Sequence, residues 1–500
     1  MKLTAKLTIF LCAFLLLFSS QVFGQTLQLD CRINRISPAN HSLGINCTIA
    51  DPPPGKMAIQ FIDEFAGIDH LSHRLHAVKI TDARGSALPL EIRGNGLFFF
   101  SADSHSGAIS LDYEMRLARA FEPSQFALVS SIGAETAILM MADLLPRICS
   151  GDEACAAKSA VRLKMELPAG WQTATTELRQ GEFFHVAEPS RAVFFLGRLR
   201  ERTAKIGEMN LRIAIGSEWS FRDEEVFMLA EAIAREQAAI AGSQERGDFL
   251  VTLAPFPQSL TGLRSSAVTI GRTVVLLLNS NNDSAQTFKH FRRHLAHETF
   301  HFYLPNAFRI RENFDWFWEG FTRYMALVTL AKLRLVDLRE YLDAINAEYE
   351  AYLFNPLRTQ VSLLAASPEK FASAASYDLV YRKGMLIAAL YDLELRWQSR
   401  GKFSLPDVMK ELYRNFALTG REIGNREVLQ ELGRPGNFGR LIRDHIEGVK
   451  EIDLIEMIKP YGLVVGNSPL PGNRTRLVSS RKLTDRQREM LRQVAPATEP

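Results

Sequence analysis

The segment His297-Glu298-Thr299-Phe300-His301 constrains this chain more than any other. Residues four apart on a helix share one side, so the two imidazoles converge on a single cation if the segment is helical. With 11 His and 56 acidic residues among 500, chance yields such a pattern about 0.03 times per chain, too rarely to set it aside. Two neutral imidazoles form half of a tetrahedral zinc shell, and a catalytic site adds a third protein ligand while leaving one position open. Glu319, in the stretch DWFWEGFTRY (315–324), supplies that ligand if the chain doubles back. Pro305 stops the first helix, Asp315 caps the second, and Glu319 in its first turn faces the histidines when the helices pack antiparallel. Trp316, Phe317, Trp318 and Phe321 imply a buried setting, where a carboxylate needs a partner that a metal provides. Glu298 is then placed as general base. His290 and His294 share the same spacing, but Arg292 and Arg293 lie between them. Two guanidiniums repel a cation, so this second pair reads as structural.

A chain of 500 residues exceeds what one core supports, since cores stop growing near ~250–300 residues. Residues 1–24 read as a secretory signal peptide, with Lys2 and Lys6 before an apolar run at 7–18 and a small-residue cleavage site at Val22, Phe23 and Gly24. The mature chain would begin near Gln25 and be secreted or periplasmic, with no transmembrane span. From 25 to 216, short alternating runs such as Leu163, Met165, Leu167 and Leu211, Ile213, Ile215 predict a β-rich, sandwich-like N-terminal domain. The aromatic runs at 98–100 and at Phe194 and Phe195 read as strand core. From 217 to 465 helical spacing dominates, beginning with a cap at Ser220 and the series Val226, Ala230, Ile233, Gln237 ending at Gly242. Strands are expected at 249–253 and 268–278, with Asp283 capping a helix at about 284–304 and further helices at 316–333, 340–353, 382–398 and 405–416. The fold class is α+β multidomain. Residues 466–500 read as a linker and tail, with one amphipathic stretch at 485–494.

Cys12 leaves with the signal, and four cysteines remain, an even number suited to an exporting compartment. The short loops favour Cys31 with Cys47 and Cys149 with Cys155. Of the formal net charge of +3, Lys2 and Lys6 supply two, so nothing points to a nucleic acid partner.

The HETFH and WxxEGF-like segments resemble those of gluzincin metallopeptidases, zinc enzymes with an HExxH helix and a glutamate ligand heading the next helix. The stretch SYDLVYRKGMLIAALYDLELR (376–396) resembles the family segment in which a tyrosine precedes a Lys-Gly pair. That likeness implies Tyr381 as the donor to the tetrahedral intermediate. Within the group, ELPAGWQTAT (166–175), FSLPDVMKEL (403–412) and HIEGVKEIDLIEMIKPYGL (445–463) are most similar to the glycyl aminopeptidase family, here without its PDZ domain. The gap from His301 to Glu319 is nearer that of the aminopeptidase N family. The likeness implies a thermolysin-like catalytic domain that binds zinc and hydrolyses peptide or protein substrates. It also sets TGLRSS (261–266) where such aminopeptidases carry a glycine-rich strand ending in an acid, which makes Gly262 and Arg264 substrate-binding residues. An arginine there repels an ammonium group and leaves exo against endo action open. The rival readings are an envelope zinc protein that binds peptides or proteins without cleaving them, and a metal-free scaffold with the histidines in its core.

Overall fold

The computed structural model describes residues 29–102, 107–117, 122–150, 160–279, 284–466 and 476–496. The signal peptide, Gln25, Cys155 and Asp283 lie outside them.

Alternation builds the first half. In Ile109–Arg116 the residues Ile109, Leu111, Tyr113 and Met115 point inward while their neighbours face out, the pattern of a half-buried strand. This strand sits in a seven-stranded sheet that also holds Leu29–Ser37, Ser42–Ile49 and Val161–Met165, and two four-stranded sheets accompany it. Their facing residues form one core, with Ile33, Ile45 and Leu163 against Ile59, Phe98, Phe100 and Phe194. The expected aromatic runs are therefore core. Cys31 stands opposite Cys47 on neighbouring antiparallel strands, and the two are disulfide-bonded. Cys149 is also disulfide-bonded.

A five-stranded sheet follows, ordered Leu199–Ile206, Met209–Gly216, Gly247–Pro255, Thr273–Leu278, Ser265–Ile270. Met209–Gly216 pairs in parallel with Gly247–Pro255, so two strands that periodicity groups with the first half belong to this sheet. Every residue of Thr273–Leu278 is buried, as a central strand covered on both faces requires. The helix Asp223–Ala241 is preceded by Arg222 as its cap, two residues beyond the expected Ser220. The Glu225 carboxylate accepts from the Arg222 backbone N–H at 2.9 Å and ties the cap residue to the first turn. The helix ends at Gly242 in the left-handed region, φ 62°.

Helices Ser284–Phe300, Gly320–Lys332, Leu338–Leu353 and Ala374–Ser399 pack beside this sheet in one large core. Gly320 and Gly384 meet where two of them cross. A Cβ on Gly320 would lie 2.4 Å from the Gly384 Cα, so only glycine permits this approach. It joins the helix headed by Glu319 to the helix carrying Tyr381. The segment read as linker and tail contributes the strand Arg476–Ser479, paired with Leu463–Gly466, and the helix Asp485–Val494. Leu477, Met490, Leu491 and Val494 enter the same core. The amphipathic stretch is a packed element because its apolar side has a core to cover. Among the described residues no helix is long and apolar enough to cross a membrane.

Candidate metal centre and cavity

The histidine helix is α-helical over Ser284–Phe300. His301 follows in a tighter turn, its N–H donating to the Glu298 carbonyl at 3.1 Å, so the helix ends one residue short of its second histidine. The rings still converge, with Nε2 of His297 and Nε2 of His301 3.2 Å apart. Nδ1 of His301 lies 2.7 Å from the Leu304 carbonyl, which fixes that ring and turns Nε2 toward its partner. Glu319 sits between the short helix Asp315–Trp318 and Gly320–Lys332. Its Oε2 is 3.6 Å from His297 Nε2 and 3.4 Å from His301 Nε2.

Two observations show that these groups fit a zinc ion. Oε2 of Glu319 is buried and has no hydrogen-bond partner among the described residues, an arrangement that costs free energy unless something positive meets the atom. The donor separations of 3.2, 3.4 and 3.6 Å also match the roughly 3.3 Å between tetrahedral ligands at ~2.0–2.1 Å from zinc. Among the described residues this trio is the group of three whose ligand atoms all lie within 4.8 Å of one another. Burial alone would lower the His301 pKa, but Glu319 and Glu298 outweigh it and raise it to about 9. The site favours a positive charge between these groups.

Lys370 supports Glu319 from behind, and sequence reading missed it. Its Nζ is 2.6 Å from Asp315 Oδ2 and 3.0 Å from Glu319 Oε1, all three side chains being buried. Burial opposes ionisation of Glu319, yet Lys370 and the two imidazoles hold its pKa well below the ordinary value. Asp315 does not cap the helix as expected, because its carboxylate turns inward to this lysine. Among the described residues the Leu304 carbonyl, and not a carboxylate, backs the His301 imidazole. Glu312 accepts from the Asn425 N–H at 2.8 Å, and Asp378 pairs with Arg382.

Glu298 is buried beside the trio. Its Oε2 accepts from the Thr269 hydroxyl at 2.8 Å, and that hydroxyl also lies 2.7 Å from the Glu298 carbonyl. Thr269 belongs to the edge strand Ser265–Ile270 and orients the carboxylate. Thr269→Val should therefore loosen the Glu298 carboxylate and, where that carboxylate serves as a base, lower kcat about tenfold with little change in KM, since misplacement of a reacting group is felt mainly in the chemical step. Steady-state kinetics on a quenched peptide measures this, and an unchanged kcat would remove Thr269 from the account.

Tyr381 reaches the same place from the helix Ala374–Ser399. Its ring stacks on Tyr377, 4.4 Å between centroids, and lies 6.3 Å from the His297 ring. Burial, with Glu319, Tyr377 and Glu298 adding to it, raises its pKa well above the usual phenol value. The group is a neutral donor near neutral pH.

A cavity of about 340 Å³ opens beside Glu298 and His297. Gly262 and Arg264 are exposed and do not line it. The Arg264 N–H is tied to Asn279 Oδ1 at 2.6 Å, and the neighbouring Ser265, Ser266 and Ala267 form the wall instead. His290 and His294 also face this cavity. Their Nε2 atoms lie 2.7 and 3.2 Å from the Ser265 hydroxyl. Burial, with help from His290, lowers the His294 pKa to about 3. The spacing of His290, Arg293, His294, His297 and Glu298 on one helical stripe was the available signal for this wall.

A family model described as M61 glycyl aminopeptidase matches residues 290–387. This stretch holds His297, Glu298, His301, Glu319, Lys370 and Tyr381. Comparison with curated proteins finds no match. A solved aminopeptidase N family protein from Idiomarina loihiensis aligns with a TM-score of 0.75 and 16% identity, over 92% of this chain and 82% of that one. An M1 zinc metallopeptidase from Deinococcus radiodurans aligns at 0.51 and 14% identity, over 86% of this chain and 95% of that one. The chain is thus similar to the glycyl aminopeptidases over its metal-site region and shares its fold with the aminopeptidase N structure, in line with the gluzincin resemblance.

Proposed function

We propose that this protein is a zinc-dependent peptidase that hydrolyses peptide bonds of peptide or protein substrates, with Glu298 as general base and Tyr381 as donor to the developing oxyanion. The observation that carries this reading is the buried Oε2 of Glu319, unpartnered and aimed between two imidazole nitrogens. A zinc ion held by His297, His301 and Glu319 supplies Lewis acidity toward a carbonyl and a water. The chain's own residues do the rest. Glu298, steadied by Thr269, takes the proton of the attacking water and returns it to the leaving amine. Tyr381 donates to the carbonyl oxygen as it gains charge, and its suppressed ionisation keeps that proton in place. The edge strand Ser265–Ile270 pairs on one side with Thr273–Leu278, and an extended substrate adding alongside it would pass Glu298. The leader-like first 24 residues and the Cys31–Cys47 disulfide support action outside the cytoplasm.

Purified protein should contain about one zinc per chain and cleave internally quenched peptides. A chelator should abolish cleavage, and added zinc should restore it. Full activity in metal-free protein would overturn the reading. Peptide binding without cleavage would favour the non-catalytic envelope protein instead.

A further inference from the structure

We propose that the cavity beside the metal centre is an anion subsite, which holds a carboxylate of the substrate with the guanidinium groups of Arg293 and Arg323. The inference rests on the peptidase reading for its position and on the charges of the cavity wall for its chemistry.

Among the described residues two carboxylates line this cavity, Glu298 and Glu348. Both oxygens of Glu348 are already engaged, Oε1 by Arg323 Nη2 at 2.6 Å and Oε2 by Arg382 Nη1 at 3.1 Å. Glu298 is held by Thr269 at the reacting position. Two guanidiniums already neutralise Glu348, which disfavours its receiving a substrate ammonium group. The cations are less satisfied. Arg293 lines the cavity, is exposed, and makes no ion pair or side-chain hydrogen bond among the described residues. Arg323 uses one nitrogen on Glu348, and its planar fork retains further donors.

Their place in the sequence fixes their distance from the chemistry. Arg293 is four residues before His297 on the same helix. Arg323 is one turn after Glu319, with its N–H donating to the Glu319 carbonyl at 3.0 Å. Residues so related on a helix have Cβ atoms roughly 5–6 Å apart. Each arginine side chain therefore starts one turn from a residue of the trio, and consecutive substrate residues are about 3.8 Å apart. The carboxylate they hold belongs to a residue next to the cleaved bond. Ala326, Leu327, Leu330 and Met385 line the same cavity and suit the aliphatic stem of such a residue. The carboxylate comes either from an Asp or Glu side chain or from the chain terminus of the substrate, and both use the same fork.

Quenched peptides that differ only in Glu, Gln or Lys at each position flanking the bond, made with free and amidated C-termini, test this. The expected result is about tenfold higher kcat/KM for Glu over Gln at one flanking position, or the same advantage for the free terminus over the amide; about tenfold corresponds to ~1.4 kcal/mol. Loss of the advantage on Glu-to-Gln exchange assigns the side chain, and loss on amidation assigns the terminus. Arg293→Gln should erase most of the preference, and Arg293→Glu should turn it toward Lys. Binding of the same peptides, fluorescently labelled, to the Glu298→Gln protein reads the preference without turnover. Acid-selective binding without any cleavage by the unaltered protein would sink the peptidase reading and leave the subsite standing. Equal handling of Glu, Gln and Lys with either terminus, in binding, overturns the subsite whether or not cleavage occurs.

Discussion

Glu298→Gln should lower kcat/KM on a quenched peptide by roughly 10²- to 10⁴-fold, the range that a positioned general base contributes, while zinc content stays near one per chain. The substitution keeps the shape of the side chain and removes only its ability to take a proton. Glu298 makes no ion pair among the described residues, and its carboxylate accepts from the Thr269 hydroxyl. A hydroxyl donates to an amide oxygen as readily as to a carboxylate, so the fold loses little. The ligand set is also untouched, because His301 is braced by the Leu304 carbonyl and Glu319 by Lys370. Kinetics, metal analysis and a thermal melt on one preparation separate these effects. Turnover within tenfold of the unaltered protein, with zinc present, would remove Glu298 as base. The contrast with Thr269→Val is informative, because that change leaves the base intact and only loosens it.

What the sequence reveals about this site follows from how local each interaction is. The His297–His301 relation is fixed by helical geometry within five residues, so reading it needs no knowledge of the fold. Glu319 is legible because its neighbours are aromatic and Pro305 limits where the chain can turn. Lys370 is not legible. It lies 51 residues from Glu319 in a 3₁₀ turn, Lys370–Ala372, and nothing around it in sequence marks a buried cation. Thr269 is hidden for a related reason. It reads as one more β-branched strand residue, and only the packing of the edge strand against the histidine helix, 29 residues on, brings it to Glu298.

His290 and His294 show a different limit. The two arginines between them argued against a metal, and no third ligand joins them among the described residues. The same local argument does not show that the stripe faces a cavity, which Arg293 lines while Arg292 turns to Glu340. The strands Leu199–Ile206 and Met209–Gly216 make the point for the fold. Alternation identifies a strand but not the sheet it enters, since a strand's neighbour is set by long-range pairing.

Glu319→Ala should strip the protein of zinc on dialysis, with affinity weakened by more than about 100-fold, since outer partners alone are worth roughly 10- to 100-fold and the proposed role of this residue is that of a ligand. Two imidazoles remain, 3.2 Å apart, which is too few donors to hold a catalytic zinc against buffer. The apoprotein should nonetheless stay folded. Lys370 keeps Asp315 at 2.6 Å, so the buried cation is still paired, whereas removal of the lysine would leave two carboxylates facing each other in the interior. The Asp315 pKa offers a second readout. Burial raises it to about 6, with Glu319 contributing to the rise and Lys370 opposing it. Without Glu319 it should fall, and carboxylate-labelled NMR on the variant would record the shift. Zinc retained at one per chain after dialysis would show that Glu319 is not a ligand, and the trio would then have to be read as an ion-pair cluster organised around Lys370.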